Sequence, residues 1–348
     1  MSASTKRVEV VPIKLEPHPN ADRLSLVRVF DNYTVVVATD SWKDKELGAY
    51  IIPDMMVPTD REEFSFLDKK GTKLPKRITA EKIRSILSEG LLVPAPEGSK
   101  VGDDVAEKLG VTRYEIPVKQ QQSSNPANWK SSRQVPAPSM DPPCYDLENF
   151  KRYSSVLEDG ETIVVTEKIE GANGRWVHDG EKFHAGSHYT WKEEESDDCD
   201  WWKALKATPE LMLFLADNPN LVAYGEIYGK VGGYSYGVEK GTSPKIALFD
   251  LWDRENGWED AGGFLQVLQF FQLPHSPILY VGPYSKEKII ELTEGDSVLS
   301  SIPQIREGVV IKPWKERKHD SCGRVALKSV SSLYLSRKKN RSVELTPS

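Results

Sequence analysis

An α+β architecture in two parts is what the sequence predicts. Three observations point there: an all-β pattern up to about residue 118, a Gln-, Ser- and Pro-rich break after it, and intermixed strands and helices beyond. In the first part, Arg23 to Phe30 and Tyr33 to Ala38 alternate apolar with polar residues, and Asp31-Asn32 between them suits a tight hairpin turn. The break, QQQSSNPANWKSSRQVPAPSMDPP, has no periodicity that could bury a face, so 119–143 reads as a linker. Past it, Thr162 to Thr166, Leu221 to Tyr228, Ile246 to Trp252, Gly308 to Ile311 and Arg324 to Ser329 read as strands. A helix is expected over Pro209 to Asp217, with Thr208 as its cap and Leu211, Met212, Phe214 and Leu215 as a core stripe. Two more are expected, Gly263 to Gln272 and one starting at Ser285. The expected division is 1–118, linker 119–143, and 144–348.

The chain has 348 residues, 39% of them hydrophobic, enough for two domains without disulfide or metal staples. Cys144, Cys199 and Cys322 show no paired spacing, which argues against a disulfide framework or a zinc site. No apolar run approaches the roughly 20 residues of a membrane helix, and the start MSASTKRVEV lacks a signal-peptide core. A cytoplasmic or nuclear protein with no membrane partner is therefore expected. The net charge of -6 argues against nucleic acid as a partner, but the charges are uneven. Acidic residues gather at Glu193, Glu194, Glu195, Asp197, Asp198 and Asp200, which reads as a solvated loop. Basic ones gather at Lys69, Lys70, Lys73, Lys76 and Arg77, and again from Lys312 to Lys339.

In Thr166-Glu167-Lys168-Ile169-Glu170-Gly171-Ala172-Asn173 a lysine sits where an alternating strand gives way to a glycine-containing turn. Lys-x-x-Gly alone arises by chance about once in a couple of hundred residues. Here it is followed in order by Tyr224-Gly225-Glu226-Ile227-Tyr228-Gly229, Leu248-Phe249-Asp250, Glu307-Gly308-Val309-Val310-Ile311-Lys312 and Arg324-Val325-Ala326-Leu327-Lys328. The series resembles the covalent nucleotidyltransferase superfamily of DNA ligases, RNA ligases and capping guanylyltransferases over residues 145 to 340. EKIEGAN, EGVVIKPW and RVALKSV are most similar to ATP-dependent RNA ligases.

The chemistry requires such a cluster. An ordinary lysine lies about three pKa units above neutrality, so roughly one in a thousand is a free amine able to attack phosphorus. Lys312, Lys328 and a divalent metal are candidates for lowering that value and for steadying charge on an α-phosphate. Glu170, Glu226 and Glu307 are candidate oxygen donors to Mg2+ or Mn2+, against the alternative of pairing with surface lysines. The resemblance implies that Lys168 carries AMP, that Phe249 stacks on adenine while Glu167 reads its exocyclic amine, and that Ile169, Gly171 and Asn173 border the nucleotide. Phe249 serves equally well as core in ALFDLW. Two positions depart from the family pattern: Val330 stands where a second lysine is common, and His188 where a basic residue is usual.

At the N-terminus, His18-Pro19-Asn20-Ala21-Asp22-Arg23-Leu24 and Lys82-Ile83-Arg84-Ser85 through Ser88-Glu89-Gly90-Leu91-Leu92 resemble the OB-fold tRNA-binding module of some aminoacyl-tRNA synthetases. OB-folds track single strands with basic and aromatic side chains; KKGTKLPKR suits such a groove, or is simply solvated. An OB module placed before the catalytic domain resembles the Deinococcus type of RNA ligase. The expectation is thus an N-terminal β-barrel (OB-fold) followed by a mixed α+β nucleotidyltransferase (ATP-grasp-like ligase) domain. It would be a monomer that uses ATP and Mg2+ or Mn2+ to join RNA ends, with nicked duplexes bearing an RNA 3'-hydroxyl strand as partner. A capping guanylyltransferase, a DNA ligase of the same superfamily and a non-catalytic RNA-binding protein are the alternatives.

Overall fold

Period-two patterns shape the N-terminal unit. In LSLVRV and YTVVVA the apolar residues alternate, and Leu24–Val29 and Tyr33–Ala38 pair antiparallel with Val27 opposite Val35 and Val29 opposite Tyr33. Phe30 takes a positive φ of 49° at the turn; Asp31, half of the expected turn pair, lies outside the described residues. The computed structural model describes residues 7–30, 32–53, 55–68, 71–113, 134–140, 142–194, 199–229 and 231–336. These fall into two compact units, 7–113 with 335–336, and 134–334.

In the first unit, Leu47–Ile51 is central between Glu9–Pro12 and Leu91–Pro94, and Leu24–Val29 between Leu15–Pro17 and Tyr33–Ala38. Met55–Val57 is flanked by Thr112–Arg113 and Lys76–Arg77, and Glu81–Ile83 pairs with Ile86–Ser88. In place of one closed barrel, the described strands form short antiparallel sheets around two apolar clusters, one holding Val8, Val10, Ile51 and Phe64, the other Val27, Val35, Trp42 and Tyr50. Lys69 and Lys70 of the basic run lie outside the described residues.

The second unit is two sheets with helices on their outer faces. A seven-stranded sheet is ordered Gln134–Val135, Trp191–Lys192, Phe183–Ser187, Ala172–His178, Leu221–Tyr228, Lys245–Asp253, Gly257–Trp258. A five-stranded sheet is ordered Glu148–Asn149, Leu327–Val330, Gly308–Pro313, Thr162–Lys168, Ile278–Pro283. Helices Asp200–Lys206, Pro209–Asp217 and Ala261–Phe271 bury Leu205, Leu211, Phe214, Phe264 and Leu268 against the first sheet. Phe150–Tyr153 and Lys286–Thr293 cover the second through Phe150, Tyr153 and Ile289.

Local differences from the sequence reading have simple causes. Thr208 makes no side-chain cap; its hydroxyl donates to Ala204 O at 2.9 Å and so closes the preceding helix. Ser285 does cap, accepting from the Lys288 N–H at 3.2 Å. The expected Arg324 to Ser329 strand is broken into Gly323–Arg324 and Leu327–Val330. Gln134–Val135 already pairs with Trp191–Lys192, so ordered structure begins before residue 143; 114–133 and 141 lie outside the described residues, as do 195–198 of the acidic run. Among the described residues no helix is long and apolar enough to cross a membrane.

Candidate active site

Strand alternation decides what faces the space between the two sheets. Ile163 and Val165 join Val309, Ile311 and Leu327 in the core under the five-stranded sheet. Their neighbours Val164, Thr166 and Lys168 therefore take the opposite face. Registered partners point the same way, so Val310, Lys312 and Lys328 share that face: Thr166 opposes Val310, which opposes Lys328, while Lys168 opposes Gly308 and Val164 opposes Lys312.

Lys168 is the last residue of its strand, and the chain then crosses to the seven-stranded sheet, where Ala172–His178 begins. The crossing brings the backbones so close that a Cβ on Gly171 would sit 2.1 Å from Ile227 O. Only glycine fits there, which is the physical content of the Lys-x-x-Gly spacing. On the second sheet Asn173 opposes Glu226. The next pairing carries a β-bulge: Tyr224 opposes Asp250 but Gly225 opposes Leu248, leaving Phe249 as the extra residue. The bulge turns both Phe249 and Asp250 toward the inner side while Leu248 and Leu251 stay in the outer core.

Lys168, Asn173 and Glu226 consequently share a cleft with Tyr145, Phe249 and Val310. Lys168 Nζ forms an ion pair with Glu307 Oε1, their side chains 13% and 4% exposed. Glu307 Oε2 is buried with no hydrogen-bond partner among the described residues. Burial pushes the Glu226 carboxyl up to about 8, with Glu307 and Glu170 adding to the rise and Lys168 opposing it. Three acidic side chains around one amine therefore favour a proton on Glu226 unless further positive charge enters the pocket.

Glu170 is turned partly away. Its Oε1 accepts from the Gly233 N–H at 2.6 Å and its own N–H donates to Tyr236 Oη at 2.7 Å. Among the described residues no group of three or more His, Cys, Asp or Glu side chains is arranged to ligate a metal together. Of the expected trio, Glu307 pairs with Lys168, and Glu226 is close enough to both Lys168 and Glu170 to feel their charges. Two hard oxygen donors, one of them an orphaned buried carboxylate oxygen, fit a hydrated Mg2+ or Mn2+ ion that keeps most of its own water.

Two other expected residues stand differently. The Glu167 carboxylate accepts from Ser297 Oγ, from the Val298 N–H at 2.7 Å and from the Leu299 N–H at 3.4 Å. Glu167 borders the cleft, but its carboxylate is taken up by these three donors. Lys312 Nζ lies 3.0 Å from Asp250 Oδ2 and donates to Phe249 O at 2.9 Å, so its charge is already matched. Its register also places it four residues along from Lys168, about 13 Å at strand rise. Ile169 packs with Tyr234, Tyr236 and Tyr334 and also borders the cleft, as expected. Lys328, in contrast, makes no ion pair or hydrogen bond to a protein side chain among the described residues and remains on the cleft face. His188 is buried with Nε2 3.7 Å from Asp146 Oδ1, and Val330 packs beside the Ile169 cluster opposite Gly308.

Sequence reasoning missed the partners that brace the cleft. Asp250 Oδ2 accepts from Arg324 Nη2 at 2.8 Å and from Tyr145 Oη at 2.9 Å as well as meeting Lys312. Burial pushes the Asp250 carboxyl up, but Arg324 and Lys312 together hold it below the ordinary range. Tyr145 in turn packs on Phe249 with ring centroids 4.6 Å apart. The signal was present as the acid directly after Phe249, a pair of consecutive inward residues that strict alternation forbids.

Residues 161–330 match the family model described as RNA ligase, and residues 3–95 match one described as an OB-fold domain. No curated protein matches the chain. Among solved structures, the apo form of an aspartate-to-alanine variant of Naegleria gruberi RNA ligase is similar with a TM-score of 0.78 at 22% identity, over 97% of this chain and 99% of that one. A lysine-to-alanine variant with ATP and Mn matches at 0.77 and 22%, over 96% and 99%, and a lysine-to-methionine variant with AMP and Mn at 0.78 and 22%, over 97% and 100%. At that identity the likeness speaks for the fold alone: a stretch that matches an OB-fold model precedes one that matches the RNA ligase model, in a chain folded like Naegleria gruberi RNA ligase.

Proposed function

We propose that the chain is an ATP-dependent RNA ligase that works through a covalent Lys168–AMP intermediate. The observation that carries this reading is Lys168 itself: a lysine at the mouth of a strand, in a cleft, paired to Glu307 and close to Glu226. The similar Naegleria gruberi RNA ligase structures with ATP and Mn or AMP and Mn support ATP and a divalent metal as the cofactors.

The Glu307 ion pair holds Lys168 as an ammonium, which has no lone pair. Attack on the α-phosphorus of ATP therefore needs the proton and the ion pair to be given up first. A divalent cation held by Glu226 and Glu307 would supply positive charge at the phosphates and occupy the carboxylates that otherwise grip the amine. Nζ then bonds to the α-phosphorus as pyrophosphate leaves, the AMP passes to an RNA 5'-phosphate, and a 3'-hydroxyl displaces AMP to close the strand. Lys328, on the cleft face and without an ion pair, is positioned to meet phosphate oxygens. Tyr145, Phe249 and Val310 form the apolar wall for a purine, and Asn173, whose buried Oδ1 has no partner among the described residues, borders the sugar or phosphate.

Nicks in duplexes with an RNA 3'-hydroxyl strand are the substrate in this reading, with residues 1–118 as the nucleic-acid-binding module, as in the Deinococcus type. The test is mass spectrometry after mixing with ATP and Mn2+: the chain gains one AMP and Lys168→Ala does not. Retained labelling in Lys168→Ala contradicts the reading, and parallel reactions with GTP and with DNA 3'-ends separate it from the capping and DNA-ligase alternatives.

A further inference from the structure

The cleft must tell one base from another, and although Glu167 borders it, the carboxylate expected to do so is engaged elsewhere. Glu167 is 1% exposed, with its carboxylate committed to three donors at 297–299. A carboxylate so engaged has no reason to leave for a neutral amine.

Two hydroxyls do face the cleft. Thr166 is 7% exposed, on the same strand face as Lys168, and lines the cavity. Ser276 is 4% exposed and lines it from the other side. The placement of Ser276 follows from a short parallel bridge: Leu248 N–H donates to Pro274 O and Ser276 N–H to Leu248 O, both at 2.9 Å, with His275 registered to Leu248. Leu248 belongs to the outer core, so His275 points outward with it and the next residue, Ser276, points inward beside Phe249. Glu167 N–H donates to Pro277 O at 2.9 Å, which fixes the Ser276 segment against the Thr166 strand. Neither hydroxyl has a hydrogen-bond partner among the described residues, although each is more than nine-tenths buried.

Resting on the ATP reading above, we propose that Thr166 and Ser276 read the edge of the base and that Glu167 does not. A hydroxyl can accept from an exocyclic amine or donate to a ring nitrogen, the two groups adenine presents side by side. Phe249 holds the ring plane while these hydroxyls meet its edge. Glu167 is a positioning residue: it ties the strand that ends in Lys168 to the 297–299 loop.

The test is a chemical double-mutant cycle on lysyl-AMP formation, comparing ATP with purine riboside triphosphate, which lacks the amine. For the unsubstituted chain, loss of the amine raises KM about three- to tenfold, the size of one neutral hydrogen bond. In the Thr166→Val/Ser276→Ala double variant that penalty falls to nearly onefold, and each single variant removes part of it. Glu167→Gln slows adduct formation yet keeps the full penalty. A double variant that retains the penalty, or a Glu167→Gln variant that loses it, overturns the assignment. If the unsubstituted chain forms no adduct with either triphosphate, the ligase reading itself fails, a result distinct from both.

Discussion

Asp250 Oδ2 and Lys312 Nζ meet at 3.0 Å, joining one sheet of the C-terminal unit to the other beneath the cleft. Both groups are fully enclosed, with side-chain exposures of 0% and 5%, and Arg324 completes the charge balance through Asp250 and Glu316. Buried charges of this kind add little over apolar packing but are severe to break singly. Asp250→Ala, which strands Lys312 and Arg324 and deprives Tyr145 Oη of its acceptor, is expected to lose about 3–5 kcal/mol in denaturant unfolding. Lys312→Met leaves Asp250 paired with Arg324 and should lose clearly less. Equal losses would show that the bridge does not act as a unit.

Glu226 makes stability depend on pH in the direction opposite to a salt-bridged acid. Its carboxyl is raised from 4.5 to about 8, so between those values the folded chain holds a proton that the unfolded chain has released. Stability from this group is complete below about 4.5 and is lost as pH rises through about 8. Thermal melts without metal should therefore fall by several degrees between pH 5 and 8.5, and Glu226→Gln should flatten that slope. Added Mn2+ should restore stability above pH 8 in the unsubstituted chain and fail to do so in Glu226→Gln. A slope that survives the substitution would place its origin elsewhere.

What the sequence made legible is what alternation and spacing control. Lys168, Glu226, Phe249, Glu307 and Lys328 were all marked from ordered motifs, and all lie on or beside the cleft faces of two sheets. What stayed hidden depends on contacts between distant stretches and on parity counted across breaks. Glu167 was named by resemblance alone, and no one-dimensional pattern shows that its carboxylate is engaged by Ser297, Val298 and Leu299. Asp250 was hidden by parity, since the bulge at Phe249 puts two consecutive residues on one side. Lys312 carried the right charge at the right spacing, but a buried counter-ion on another strand cannot be read from a one-dimensional pattern.

Phe249 provides a separable test of the bulge. It is half-buried, packed on Tyr145 and open to the cleft, so it is both wall and candidate stacking surface. Phe249→Leu keeps apolar bulk but removes the flat face; it should raise the KM for ATP about tenfold and leave unfolding within roughly 1.5 kcal/mol of the unsubstituted chain. Loss of stability without loss of ATP use would assign Phe249 to the core alone.

Gly171→Ala probes the sheet-to-sheet crossing that sets the Lys168 side chain. The added Cβ would lie 2.1 Å from Ile227 O and 3.0 Å from Glu226 Cγ; Ile227 belongs to a paired strand and Gly171 directly precedes one. Neither can retreat without disturbing the pairing of Ala172 with Ile227. Relief must come from the crossing itself, which swings Lys168 away from Glu307 and shifts Glu226. A displacement of about 1 Å at a reacting group lowers a rate by around a hundredfold. Lysyl-AMP formation in Gly171→Ala should fall by that order, while a folded far-ultraviolet spectrum is retained. The sign of the effect is specific to the crossing: Gly180→Ala, at a turn where an added Cβ meets nothing within 4 Å, should change adduct formation by less than about twofold despite its positive φ of 97°.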